Sequence, residues 1–297
     1  MSLRSFTLHD LINRNARLYG SNTALVFGNQ RITHAQYAGR TARLAAGLAD
    51  AGVGQGDRLA ILAPNCLEYV DLFGAAAQLG AIVVPINWRL SAEEVAYVIE
   101  DVAPRVLIVA DEFQALLPQS GLDDTLRYTL GAAPAPWQPV SALYLDRTVP
   151  PADLNDDEGL VIIHTAAVGG RPRGALLSHR GLIAASLQTQ LAWHLTPTDV
   201  NLGVLPLFHV AAIGFMLATQ QAGGATLLLT RFDPPSLVKH IDEDGGSLIG
   251  TFPPMLGALL DAAAAQGSAL DSLRVVSGID VPETIARLRT TCPQATF

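Results

Sequence analysis

The sequence predicts an α/β protein built on mainly parallel sheet with surrounding helices, and three observations predict it. Short apolar runs alternate with longer amphipathic stretches along most of the 297 residues, and strand, helix, strand is the order that a parallel sheet needs. Runs such as Arg58–Leu62 are apolar almost throughout, as strands covered by helices on both faces are. The composition is 49% hydrophobic and only 15% charged, too apolar for a disordered chain. At roughly 150 residues per domain the length suggests about two domains or one large one, with a large core.

Each element follows in order. Leu8–Leu18 has the spacing of an amphipathic helix. Ala24–Phe27 and Arg31–Thr33 flank Gly28-Asn29-Gln30, which reads as a β-hairpin. His34–Ala51 is helical and stops at Gly52. Arg58–Leu62 reads as a buried strand, Leu67–Leu79 as a helix ended by Gly80, and Ile82–Val84 as a strand. Ser91 is a suitable N-cap, with Glu93 and Glu94 in the first turn, for a helix to Val102. Arg105–Val109 is a strand, and residues 121–157 weaken into loop with two short strands. Alternation resumes with strands at Leu160–Thr165, Asn201–Val204, Thr226–Leu229, Ser247–Ile249 and Leu273–Val276. Helices are expected at His179–Trp193, Val210–Gln220, Pro235–Glu243, Pro254–Ala265 and Pro282–Thr291.

Composition also excludes some functions. A net charge of −8 argues against a basic-patch nucleic-acid binder. Two cysteines, Cys66 and Cys292, make neither a disulfide framework nor a multi-cysteine zinc site. The N-terminus has no apolar run of signal-peptide length, so nothing in it suggests export, and with so few cysteines a reducing cytoplasm is the expected location. Leu202–Ala218 is the most membrane-like stretch, but with Pro206 and His209 inside it, it reads as a buried core segment.

Residues 160–182 carry the most information. An apolar strand runs into a loop with Gly169, Gly170 and Gly174 and with Arg171 and Arg173, and a helix is expected near Ser178. Glycines let backbone N–H groups converge on an oxyanion, and arginine adds charge and paired donors. The segment is therefore a candidate phosphate cradle, or else an ordinary connection with an exposed basic turn. It is not a Walker-type loop, since G-x-x-x-x-G-K-[ST] is absent. Ser178 and His179 are neighbours on a helix and do not face each other. No G-x-S-x-G elbow supports hydrolysis, and no HExxH or Cys/His cluster supports a metal-ligand site.

Thr165-Ala166-Ala167-Val168-Gly169-Gly170-Arg171-Pro172-Arg173-Gly174, then Ala175-Leu176-Leu177-Ser178-His179, resembles T-S-G-T-T-G-x-P-K-G followed by an apolar stretch and Ser-His. That is the phosphate-binding motif of the adenylate-forming superfamily, which includes acyl- and aryl-CoA synthetases. Other stretches fall in the same order. Ala63–Tyr69 resembles N-S-x-E-y, and Val84-Pro85-Ile86-Asn87-Trp88-Arg89-Leu90 resembles P-x-N-x-R-L. Leu205–Val210 resembles P-L-F/Y-H, and Leu273–Pro282 resembles L-R-x-x-x-S-G-G-A-P-L-P. The resemblance covers nearly the whole chain.

It implies two packed, mainly parallel sheets forming the large N-terminal, AMP-binding domain, here incomplete across residues 1–297. By analogy one subdomain takes roughly residues 50–190 and the other 1–49 plus 191–297. The implied activity is that of an acid–CoA ligase: a fatty or aromatic carboxylic acid is activated with ATP and Mg2+ to an acyl-adenylate, then joined to CoA. The implied nucleotide-binding residues are Thr165, Ala166, Ala167, Val168, Gly169, Gly170, Arg173 and Gly174, with Ser277, Gly278, Ile279 and Asp280 at the adenine-contacting turn. Arg173 and His209 are the implied catalytic residues, and His209 and Phe252 would border the acid. Small molecules are the implied partners, with no nucleic acid and no membrane span. A homodimer is compatible with the resemblance.

Five positions have plain structural alternatives. His209 is alternatively a half-buried histidine satisfied by a backbone carbonyl, and Phe252-Pro253-Pro254-Met255 alternatively only starts a helix. His164 stands where the family has tyrosine and reads as structural. His179 reads as a residue that caps or packs at its helix start. Asp280 is equally a helix-start residue ahead of Pro282.

The sequence also departs from the pattern. Ala166, Ala167, Val168 and Gly169 replace the family's Ser, Gly, Thr and Thr, leaving Thr165 as the one hydroxyl in that run. Arg173 replaces the lysine in a chain whose single lysine is Lys239. A guanidinium still binds phosphate, with different geometry. Each lost charge-assisted hydrogen bond is worth roughly 1.5–3 kcal/mol, so grip on ATP is expected to weaken without vanishing. No match to the family's Y-G-x-T-E motif, ribose-binding aspartate, hinge or C-terminal-domain lysine follows Phe297. The 297 residues alone are thus not expected to complete the reaction. A degenerate acyl- or nucleotide-binding protein, a scaffold, and an adenylation enzyme loading a carrier protein remain alternative readings.

Overall fold

The computed structural model describes residues 6–133, 136–165 and 171–297. The chain divides into two compact units. One comprises the residues up to Gly20, His34–Ala184 and Leu207–His209; the other comprises Ser21–Thr33, Ala185–Pro206 and Val210–Phe297.

The first unit holds a seven-stranded sheet. Its helices are α1 (Leu8–Leu18), α2 (His34–Asp50), α3 (Leu67–Leu79) and α4 (Ala92–Val102), with the start of α5 (His179–Ala192). Its strands are β3 (Arg58–Leu62), β4 (Ile82–Pro85), β5 (Val106–Val109), β6 (Leu126–Thr129), β7 (Gln138–Pro139), β8 (Gly159–His164) and β9 (Gly174–Ser178). Their order is β7-β6-β5-β3-β4-β8-β9, parallel except for the antiparallel pair β8–β9. Strands β3 and β5 are buried along nearly their whole length, which is why they carry no polar alternation. α3 is buried all round, with twelve of its thirteen residues buried, as a mostly apolar helix is; its buried Asp71 is paired with Arg40 and Tyr144.

The second unit holds a six-stranded sheet. Its strands are β1 (Thr23–Phe27), β2 (Gln30–Thr33), β10 (Val200–Gly203), β11 (Ala225–Leu228), β12 (Leu248–Thr251) and β13 (Val275–Gly278). The order is β13-β12-β10-β11-β1-β2, parallel except for the β1–β2 hairpin. Helices α6 (Val210–Ala222), α7 (Pro234–Asp244), α8 (Met255–Gln266) and α9 (Pro282–Thr291) complete it. Leu237, Val238, Ile241, Leu256, Leu259, Leu260 and Leu288 pack a core against Leu202, Ile249 and Val276 of the strands.

Two expectations change. Residues 1–49 were assigned with 191–297, but only the β1–β2 hairpin goes there. Helices α1 and α2 stay with the first unit because α1 packs on α2 and both pack on α3. The Gly-rich loop was expected to run directly into a helix. Instead Gly174–Ser178 returns as strand β9 beside β8, with His164 opposite Gly174 and Ile162 opposite Leu176, and α5 starts at His179. Among the described residues no helix is long and apolar enough to cross a membrane.

Candidate active site

In parallel α/β sheets ligands gather at the carboxyl ends of the strands. The residues singled out from sequence lie at such ends, within their respective units. Ala166, Ala167, Val168, Gly169 and Gly170 lie outside the described residues, so the site is built from what flanks them.

In the first unit, β8 ends at His164 and the chain returns at Gly174. The two stems of the loop are tied by the Thr165 N–H, which donates to the Arg173 carbonyl at 3.1 Å. The Thr165 hydroxyl lies 3.5 Å from the same carbonyl oxygen, a long contact that leaves its lone pairs and proton open to a better partner. Arg173 is exposed, and its guanidinium makes no ion pair among the described residues. Arg171 is committed instead, with its guanidinium 5.0 Å from the centre of the Tyr97 ring. Of the two loop arginines, Arg173 is therefore the one available for a phosphate.

β4 ends at Pro85, and the following Asn87-Trp88-Arg89 turn is held by the Asn87 Oδ1, which accepts from the Arg89 N–H at 2.9 Å. Trp88 stacks on Phe113 at 5.9 Å and meets Phe208 edge-on at 5.9 Å. Phe208 is buried, and the Leu207 N–H donates to the buried Asn65 Oδ1 at 2.9 Å. These contacts fix the backbone that presents His209. Its ring lies 5.0 Å from the Phe208 ring, and Arg89 spreads over Trp88 at 4.9 Å and Phe208 at 6.0 Å. Partial burial, then the Arg89 charge, hold the His209 imidazole below its ordinary value of 6.5. A neutral ring at pH 7 can accept from or donate to a carboxylic acid without adding charge.

In the second unit, β12 and β13 end side by side, with Thr251 opposite Gly278. A Cβ on Gly278 would sit 1.8 Å from the Thr251 carbonyl oxygen, so this close approach requires glycine. Ser277 is half-buried on β13. Asp280 Oδ1 accepts from the Val281 N–H at 2.8 Å, while Oδ2 is buried with no partner among the described residues. The Thr251 hydroxyl is likewise buried and unpartnered. Phe252, Ile279 and Val281 are exposed by 43%, 67% and 50%. Unsatisfied polar atoms beside exposed apolar side chains are the ingredients of a ligand-binding edge. Thr251 was not a sequence candidate; its place immediately before Phe252 was the available signal.

His179 is structural. Its Nδ1 accepts from the Leu8 N–H at 3.2 Å, at the start of α1, and its ring is buried. Burial lowers its pKa to about 4. His164 Nε2 pairs with Asp101 at 2.9 Å. Among the described residues no group of three His, Cys, Asp or Glu side chains could hold a metal ion, so they offer magnesium no cage.

The sequence profile of the AMP-binding enzyme family matches residues 12–296. A feruloyl-CoA synthase from Amycolatopsis sp is 31% identical over 276 residues, which are 92% of this chain and 54% of that protein. An indoleacetate–CoA ligase from Aromatoleum aromaticum is 31% identical over 290 residues, covering 94% of this chain and 56% of that protein. A crystal structure from Rhodopseudomonas palustris CGA009, provisionally described as a long-chain-fatty-acid CoA ligase, is 45% identical with a TM-score of 0.94. It covers all of this chain, which covers 75% of it. The chain spans about half the length of the curated relatives it matches. With the profile running through both units and every strand-end segment described above, the chain belongs to the AMP-binding enzyme family of adenylate-forming acid ligases.

Proposed function

We propose that the protein carrying these residues activates a fatty or aromatic carboxylic acid with ATP to an acyl-adenylate and transfers the acyl group to CoA. The observation that carries this reading is Arg173, exposed and without an ion pair among the described residues at the base of the Gly-rich loop, in a chain matching the AMP-binding family over residues 12–296. In the first step the acid carboxylate attacks the α-phosphorus and pyrophosphate leaves. Arg173 would spread the charge developing on the pyrophosphate, with the Thr165 hydroxyl as a further donor. The neutral His209 ring, backed by Phe208 and Trp88, would orient the carboxylate.

The relatives named for feruloyl and indoleacetyl substrates favour an aromatic acid, and the exposed Phe252 is suited to line its pocket. The test is acid-dependent pyrophosphate exchange across a panel of aromatic and fatty acids, followed by thioester formation with CoA, in the full-length protein. Exchange and thioester together are expected. Exchange without thioester would indicate a carrier-protein acceptor. ATP binding without exchange would indicate a binding protein. No thermal shift with ATP, AMP, CoA or acids would leave a scaffold.

A further inference from the structure

Helix α4 meets both stems of the Gly-rich loop. On the outgoing stem, the Tyr97 hydroxyl donates to the Pro172 carbonyl at 3.1 Å, and the Arg171 guanidinium lies over the Tyr97 ring. On the incoming stem, Asp101 Oδ2 lies 2.9 Å from His164 Nε2. Tyr97 and Asp101 are four residues apart and so share one helix face. The stems are also tied to each other by the Thr165–Arg173 backbone bond. Gly174 lies so close to β8 that a Cβ there would be 2.8 Å from Ile162 Cγ2 and 3.2 Å from His164 Nε2.

The helix that makes these contacts is itself fixed. Ser91 and Glu94 form a complete capping box at its start, and Val95, Val98, Ile99 and Val102 are buried in the core. The Tyr97–Pro172 bond is part-buried, and in the other contact the Asp101 side chain is 41% accessible against 7% for His164. Pairs of that kind contribute little to global stability. They do restrict the stems, and restricting a ligand-binding loop before the ligand arrives lowers the ordering cost of binding.

We propose that Tyr97 and Asp101 are positioning residues for the phosphate loop: α4 clamps both stems, so that Thr165 and Arg173 are presented in fixed places. Arg171 belongs to this clamp and is not a phosphate ligand. The proposal rests on the phosphate-binding reading of the loop.

The test uses the full-length protein, with Tyr97→Leu/Asp101→Ala as the double variant and Asp101→Asn and Tyr97→Phe as conservative ones. Readouts are the KM for ATP and for the acid in pyrophosphate exchange, hydrogen exchange of a peptide spanning the loop, and Tm. The double variant is expected to raise the KM for ATP by about tenfold, with the acid KM within about twofold. Exchange at the Thr165 amide should quicken while Tm holds. Asp101→Asn, which can still bond His164, and Tyr97→Phe, which keeps the ring under Arg171, should recover most of the affinity. An unchanged KM for ATP overturns the proposal, as does a rise in both KM values together with a fall in Tm. If the parent shows no exchange with any acid, the phosphate-binding reading fails and the clamp's function falls with it. If the parent exchanges and the double variant matches it, only the clamp fails.

Discussion

Arg171 and Arg173 stand two residues apart in one loop, and the fold gives them different surroundings. Arg171 is stacked on Tyr97, whereas Arg173 is exposed and without an ion pair among the described residues. Arg173→Ala in the full-length protein is therefore expected to lower the rate of pyrophosphate exchange by roughly tenfold to a hundredfold, as loss of a transition-state cation does. Acid binding, read by titration, should be nearly unchanged; equal exchange in mutant and parent would remove Arg173 from the mechanism. His209 makes a second residue-level prediction. Arg89 is a charged neighbour that depresses its pKa, after burial. Arg89→Ala should raise the His209 pKa toward 6.5, followed by NMR of the imidazole carbon-bound protons. An unmoved titration would show that burial alone sets it. Gly278 is required by the Thr251 carbonyl 1.8 Å from where a Cβ would be. Its identity is explained by packing whether or not adenine binds there.

At the scale of elements, strand β9 changes the meaning of the loop. A strand-to-helix connection is anchored at two separate elements, but a hairpin loop has both stems on adjacent strands of one sheet. That is the arrangement that lets a single helix hold both ends. The junction ahead of β10, β12 and β13 shows another use of a buried charge. Asp199 accepts from Arg274 Nε at 2.7 Å, from the Ser247 hydroxyl at 2.7 Å and from the Thr196 N–H at 2.7 Å. Burial alone would raise its pKa, but these bonds hold it below the ordinary carboxylate value. Arg274 also donates to the Trp193 and His194 carbonyls. Arg274→Ala strands a buried carboxylate and is expected to cost about 3 kcal/mol in denaturant unfolding. A change below the error of the measurement would mean that solvent replaces the guanidinium.

Across the molecule, two buried groups of the first unit set opposing pH dependences. His179 has a folded pKa of about 4 against 6.5 unfolded. Its contribution is present above pH 6.5 and is lost as pH falls toward 4. Asp71 has a folded pKa raised to about 6 from 3.8, because burial outweighs the bonds from Arg40 and Tyr144. The native state therefore gains stability as pH falls from 6 toward 3.8. Each amounts to about 3 kcal/mol, so they nearly cancel. Stability should be almost level between pH 7 and 5 and fall below about pH 4, where the lowered carboxylates Asp199 and Asp244 become protonated. His179→Gln should unmask stabilisation on mild acidification, and Asp71→Asn should unmask the reverse. Parallel stability curves for parent and both variants would refute the cancellation.

Helix and strand identity were legible in the sequence because they depend on local periodicity. Leu67–Leu79 and Arg58–Leu62 were found with their observed bounds. The loop motif was legible because glycine and arginine spacing is itself a local chemical pattern. Strand β9 was not, since Gly174–Ser178 shows no alternation and becomes a strand only by pairing with β8. The assignment of α1 and α2 to the first unit was not legible either, because it depends on packing against α3. The sequence alone determined an α/β chain with the strand-end motifs of an adenylate-forming ligase. Tertiary structure decided which loop arginine stacks on Tyr97, which histidine is buried and which helix meets both stems of the loop, because each depends on side chains brought together from distant parts of the chain.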